Sequence, residues 1–218
     1  MDQPQDQAVH PFRQTIQSFL TDASSSSPTP GGGSVAALVA ALGSAMSSMV
    51  ANLTQGEKFA EVTDEMEALA SRMQSAIGRF EQLLLADATS FDGYMAALRM
   101  PKQSDEEKAR RREALQSATV AATEVPLTLA DECYSALEDA HRASPGANKN
   151  VLSDLGIAAM LLEAAGQCAL ITADINIPSI KDATIREGFQ NRRDSLAAKL
   201  TEVRNDTVAQ VRRRMAGE

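Results

Sequence analysis

The chain has 218 residues, 44% of them apolar and 23% charged, which is long enough for one full core and ordinary for a soluble globule. A net charge of −8 at neutral pH argues against nucleic acid or an anionic membrane surface as the main partner. Aromatics are only 4% and Trp is absent, so Ala, Leu, Val and nine Met must build the core.

The amino terminus, MDQPQDQAVHPF, is polar and acidic. It has no apolar h-region, so the expectation is a cytoplasmic protein without a signal peptide. Phe12, Ile16, Phe19 and Leu20 place a short amphipathic helix over residues 12–21, and residues 22–33 read as a Ser/Pro/Gly loop. Residues 34–53 form a helix of Ala, Ser, Gly, Val and Met. Its length approaches a membrane span, but four serines, Asn52 and many alanines make it weakly apolar.

Period 3.6 returns over residues 58–98, through Met66, Leu69, Met73, Ile77, Phe80, Leu84, Phe91, Met95 and Leu98, and Pro101 stops it. Ser104 before Asp105, Glu106 and Glu107 is an N-cap signature. The helix it opens runs towards residue 140, with Pro126 as a kink or break. ASPGANKN, residues 143–150, is a loop. A helix over residues 152–175 follows, Pro178 interrupts, and the chain ends in one long charged helix.

Arg212, Arg213 and Arg214 match the dipole at the end of that helix. Cys133 and Cys168 are far apart in apolar helical contexts, which predicts two buried free thiols. No segment alternates as a strand. The fold class is all-α, an antiparallel bundle of long helices. Residues 1–26 make an extension with a short helix, and residues 27–218 make the helical domain.

Three glycines, Gly31, Gly32 and Gly33, stand directly before the small-residue helix, although ordering glycine is costly. The first N–H groups of that helix have no partner within it. With the dipole, they suit an anion or a polar oxygen that bare backbone lets come close. The other reading is a loop capped by Ser34. The pattern matches neither common nucleotide-phosphate fingerprint.

PTPGGGSVAALVAALGSAMSSMVANLT resembles the opening motif of the cyclodeaminase/cyclohydrolase family of folate enzymes, which includes the carboxy-terminal domain of formiminotransferase-cyclodeaminase. LLLADATSFDGYMAALRMPK (83–102), RREALQSATVAATEVPLTLADEC (111–133) and NVLSDLGIAAMLLEAA (150–165) resemble three further family segments, in the family's order. One departure stands out. In ALITADINI (169–177), Thr172 and Ala173 replace a usual Asn and Val, while Asn176 is kept.

The resemblance implies an enzyme that closes or opens the bridge between N5 and N10 of tetrahydrofolate. It is first a cyclodeaminase forming 5,10-methenyltetrahydrofolate and ammonia from 5-formiminotetrahydrofolate, and alternatively a methenyltetrahydrofolate cyclohydrolase. The competitor of another class is a non-catalytic folate-binding or scaffold protein, which Thr172 keeps in play. A carboxylate can move protons and stabilise the amidinium cation, so no metal and no permanently bound cofactor is expected beside the tetrahydrofolate substrate. His10 and His141 form no ligand cluster.

The candidate catalytic carboxylates are Asp154 and Asp87. Asp154 also reads as a helix cap, and Asp87 as a solvated helix position. Candidate substrate-binding residues are Gly31, Gly32, Gly33 and Ser34, with Arg111, Asn148, Asn150, Asn176 and Asp182. Each of the last five has a plain reading as well: an ion pair for Arg111, loop formation for Asn148 and Asn150, and helix caps for Asn176 and Asp182. On one continuous helix Asp154 and Asn176 would lie ~33 Å apart, so the favoured arrangement is a homodimer in which they meet across the subunit boundary, with helix 35–53 packed against the partner.

Overall fold

Six α-helices and no strand make up the described residues, 11–217 of this computed structural model. They are α1 (Ile16–Ala23), α2 (Gly32–Asn52), α3 (Thr63–Leu98), α4 (Asp105–Ala143), α5 (Leu152–Asn176) and α6 (Ala183–Ala216). The first ten residues of the expected amino-terminal extension, with His10, lie outside the described residues. Within them, Phe19 of α1 is buried in the main core and Phe12 packs against it.

The helices α2 to α5 pack in a ring, each against the next and α5 back against α2, and α6 lies along α4 and α5. Neighbours in the ring are antiparallel. Gly33 at the start of α2 meets Asp87 late in α3, Gly146 beyond α4 meets Val62 and Met66, and Thr54 beyond α2 meets Asn148 before α5. At 1.5 Å per residue α3 and α4 reach ~54 and ~58 Å, against ~31 Å for α2 and ~38 Å for α5. The end of α3 and the start of α4 therefore project as a hairpin beyond the other two. That overhang walls one side of the site described below.

The small residues of α2 work inside the subunit. Ala36, Ala37, Ala40, Ala41, Ser44 and Ser47 are buried in its own bundle. At Gly43 an added Cβ would lie 2.9 Å from Leu162 Cγ and 3.2 Å from the Ala158 carbonyl oxygen, so α2 and α5 nearly touch backbones there. What α2 leaves outward is larger: Val35 and Leu42 are exposed. By length and apolarity α2 and the segment containing α5 would each pass for a membrane span, yet about half of each is buried within the bundle.

Side-chain caps fix the starts of α1, α4 and α6. Ser104 and Glu107 form a reciprocal capping box at α4. Asp182 caps α6 by accepting from the Ile185 amide at 3.1 Å. Arg214 donates to the Ala147 carbonyl at 2.7 Å and to the Ser144 carbonyl, serving the end of α4 and the turn after it. The chain differs from expectation at Pro126, where α4 continues without a break. It differs again at the thiols. Cys133 is buried, and burial pushes its pKa well up, but Cys168 is exposed on the outer row of α5 with Met160, Ala164 and Ile171.

Candidate active site

The first turn of α2 is capped from a distance. Gly31 is the N-cap and offers no side chain. Asp87 of α3, 53 positions from Ser34, takes that place: its Oδ2 accepts from Ser34 Oγ at 2.9 Å, and the Ser34 backbone N–H also donates to the carboxylate. A carboxylate at a helix N-terminus satisfies an otherwise orphan donor and meets the positive end of the dipole. Ser34 is thus the third residue of the helix and not its cap.

The close fit explains one glycine. An added Cβ at Gly33 would lie 2.3 Å from Asp87 Oδ1 and 2.6 Å from its Cγ, inside any tolerable contact. At Gly32 the nearest atom would be Thr172 Oγ1 at 3.9 Å, so that position is not crowded. The closest neighbour of the glycine turn is a carboxylate of the same chain.

Burial raises the Asp87 pKa above its ordinary value, and the two Ser34 hydrogen bonds offset part of that rise. A half-buried carboxylate held easier to protonate than usual suits proton transfer. It borders a cavity of about 610 Å³ bounded by the start of α2, the overhanging parts of α3 and α4, and the end of α5. Gly32, Asp87 and Asn176 line it together, with Ser90, Phe91, Tyr94, Thr119, Thr172 and Ile175. The lining mixes aromatic and aliphatic side chains with a few polar groups, as small-molecule sites tend to be built.

Ser90 and Tyr94 were not among the sequence candidates. Their signal was present: three and seven positions after Asp87, they share its helix face. Thr119 had no such signal, because it arrives from α4. Thr172 also lines the cavity, and its hydroxyl donates back to the Cys168 carbonyl at 3.2 Å.

The other candidates lie elsewhere. Arg111 is spent on the hairpin tip, where Nε and Nη2 both donate to the Leu98 carbonyl at 3.2 and 3.0 Å. At the opposite end of the bundle, Asn148 ties its loop to α2 by donating from Nδ2 to the Leu53 carbonyl at 2.8 Å and from its amide to Thr54 Oγ1 at 3.0 Å. Its own Oδ1 accepts from the Asn150 amide at 3.1 Å. Asp154 lies in the first turn of α5, which no side chain caps. Because α5 is unbroken from Leu152 to Asn176, Asp154 and Asn176 of one subunit are ~33 Å apart. Among the described residues no three His, Cys, Asp or Glu side chains gather as a metal site.

The sequence model of the formiminotransferase-cyclodeaminase family matches residues 15–195. The chain is 35% identical over 175 residues to methenyltetrahydrofolate cyclohydrolase of Methylorubrum extorquens, covering 80% of this chain and 84% of that one. It is also 35% identical over 186 residues to formimidoyltransferase-cyclodeaminase of Rattus norvegicus, covering 84% of this chain but only 34% of that longer protein. Among solved structures, formiminotetrahydrofolate cyclodeaminase from Thermotoga maritima superposes with a TM-score of 0.83 at 27% identity, over 92% of this chain and 97% of that one.

Proposed function

The chain belongs to the formiminotransferase-cyclodeaminase family and is an enzyme of folate one-carbon chemistry, and from that premise we propose that it hydrolyses 5,10-methenyltetrahydrofolate to 10-formyltetrahydrofolate in the Asp87 cavity. The observation that carries the reading is the half-buried carboxylate of Asp87, held easier to protonate than usual, docked on the α2 terminus and bordering a cavity of about 610 Å³. The ionised carboxylate takes a proton from water as the oxygen adds to the methenyl carbon, and its charge stabilises the amidinium cation beforehand. The tetrahedral adduct then collapses: the bond from carbon to N5 breaks, N5 gains one proton, and the second proton of water leaves with the lost positive charge. No metal and no bound cofactor enters the scheme.

The choice of hydrolysis rests on the likeness to the Methylorubrum cyclohydrolase along most of both chains. The cyclodeaminase activity is the second reading, favoured by the likeness to the whole Thermotoga enzyme. There N10 attacks the formimino carbon, ammonia leaves, and the same carboxylate manages the protons. Absorbance of 5,10-methenyltetrahydrofolate separates them. Faster loss of added methenyl compound supports the hydrolase. Its faster appearance from 5-formiminotetrahydrofolate, with ammonia, supports the cyclodeaminase.

A homodimer completes this reading. α2 carries no charged residue from Gly32 to Asn52, and the outer row of α5 is uncharged from Ile157 to Ile175, with Ile171 64% and Ile175 77% exposed. That face is where two acidic copies can meet without repulsion, and it buries apolar area. A twofold axis near residue 165, midway along α5, reverses the partner's α5 and carries Asp154 of the partner subunit towards the Asp87 cavity. The expected result is complementation. Asp87→Asn and Asp154→Asn are each impaired, and their equimolar mixture regains about a quarter of wild-type turnover, because about half of its dimers are mixed and one site of two in each of those keeps both carboxylates. A mixture no more active than its parents, with exchange verified by mass, removes the shared site.

A further inference from the structure

Pro126 occupies the interior of a 39-residue helix, where proline is the least favourable residue. Having no amide hydrogen, it cannot donate to the carbonyl four positions earlier, and its ring pushes that carbonyl outward. The carbonyl belongs to Ala122, which lines the Asp87 cavity. Its oxygen accepts from Asn176 Nδ2 at 3.0 Å, across the gap between α4 and the end of α5. A carbonyl oxygen only accepts, so the Asn176 amide must present its NH₂ there. That fixes the orientation: Oδ1 remains an acceptor, and among the described residues no donor reaches it.

We propose that Pro126 is a positioning residue of the site: by leaving the Ala122 carbonyl without a helical donor, it anchors Asn176 so that Oδ1 accepts from an N–H of the bound reduced pterin. The proposal rests on the reading of the Asp87 cavity as the active site. It accounts for a proline that the helix would be more stable without, and for the amide at Asn176 as a side chain that bridges the two helices at this point. An alanine at position 126 restores the amide hydrogen, which draws the Ala122 carbonyl back into line with the helix axis and weakens its hold on Asn176.

The test is a double-mutant cycle of Pro126→Ala and Asn176→Ala on the full chain, with kcat, KM and thermal melts. Pro126→Ala is expected to lower kcat/KM about tenfold, the scale of one hydrogen bond lost from the transition state. Its division between kcat and KM should match that of Asn176→Ala, and its Tm should be no lower than wild type. The double variant should be no worse than Asn176→Ala alone. A proline serving only the fold would lower Tm and leave the cycle additive. Unchanged turnover in Pro126→Ala, unchanged turnover in Asn176→Ala, or losses that multiply would each overturn the proposal. Asp87→Asn run in parallel keeps the failures apart: if it turns over normally, the active-site reading falls, and if it is dead while Pro126→Ala is normal, only the role of Pro126 falls.

Discussion

Replacing Asp87 by Asn is expected to cut turnover by about a thousandfold, in the range set by losing a positioned acid/base, while leaving thermal stability at neutral pH unchanged or higher. The loss follows from chemistry: an amide neither takes the proton of water nor offsets the amidinium charge. The stability result follows from the direction of the pKa shift. Burial makes the folded protein hold the Asp87 proton more tightly than the unfolded chain does. That contribution to stability is fully present below the ordinary carboxylate value and is lost as pH rises through the raised one. At neutral pH the ionised group is therefore a net cost, which Asn removes while still accepting from Ser34. In the wild type, kcat/KM should rise with pH through a value above the ordinary 3.8 of an aspartate, and the variant should lack that limb. The pH profile and melting curves check both halves. Turnover within tenfold of wild type would rule out Asp87 as the acid/base.

Gly33→Ala should be the most damaging change in the glycine turn. Its Cβ would lie 2.3 Å from Oδ1 and 2.6 Å from Cγ of Asp87, a short side chain with no flexible end to swing aside. Either the carboxylate leaves the α2 terminus, giving up both Ser34 hydrogen bonds, or the helix end shifts. Overpacking of this kind costs about 2 kcal/mol, which lowers Tm by roughly 6 °C in a chain of this size. Turnover should fall about a hundredfold, because a misplaced acid/base loses most of its advantage. Gly32→Ala is the control. Only Thr172 Oγ1, at 3.9 Å, stands near its Cβ, so Tm should stay within a degree or so of wild type. Equal melting temperatures for the two alanine variants would contradict the packing of Asp87 on Gly33.

The helices were legible because period and caps agree. The Ser104 box, the stop at Pro101 and the long charged final helix all follow from residues a few positions apart. Pro126 misled at the level of the backbone, since a break is the local expectation and long packed neighbours override it. The site was legible only in part. Asp87 was legible as a candidate carboxylate, and α5 alone was enough to show that Asp154 and Asn176 of one subunit do not meet.

The pairing of Asp87 with Ser34 was not legible. It joins positions 53 apart, and no local pattern announces a helix capped by another helix. Gly33 had been given to a ligand for the same reason: a sequence shows the room that glycine makes, not what fills it. Arg111 followed the base rate for charged helix neighbours, yet its guanidinium closes the α3–α4 turn on a backbone carbonyl. The outward Cys168 was hidden too, because α2 and α5 are apolar nearly all round and the face left uncovered depends on which neighbours arrive.

The central claim is that the folate derivative sits in the Asp87 cavity. Amide hydrogen exchange with and without 5-formyltetrahydrofolate, a stable one-carbon folate, addresses it most directly. The amides of Gly32 and Gly33 have no helical acceptor, and the turn Ile177–Ser179 is short, so both should exchange fast enough to report. The account predicts slowed exchange at residues 32–34 and 176–180. Protection confined to the hairpin tip around residues 99–112, or to residues 148–154 alone, would contradict it.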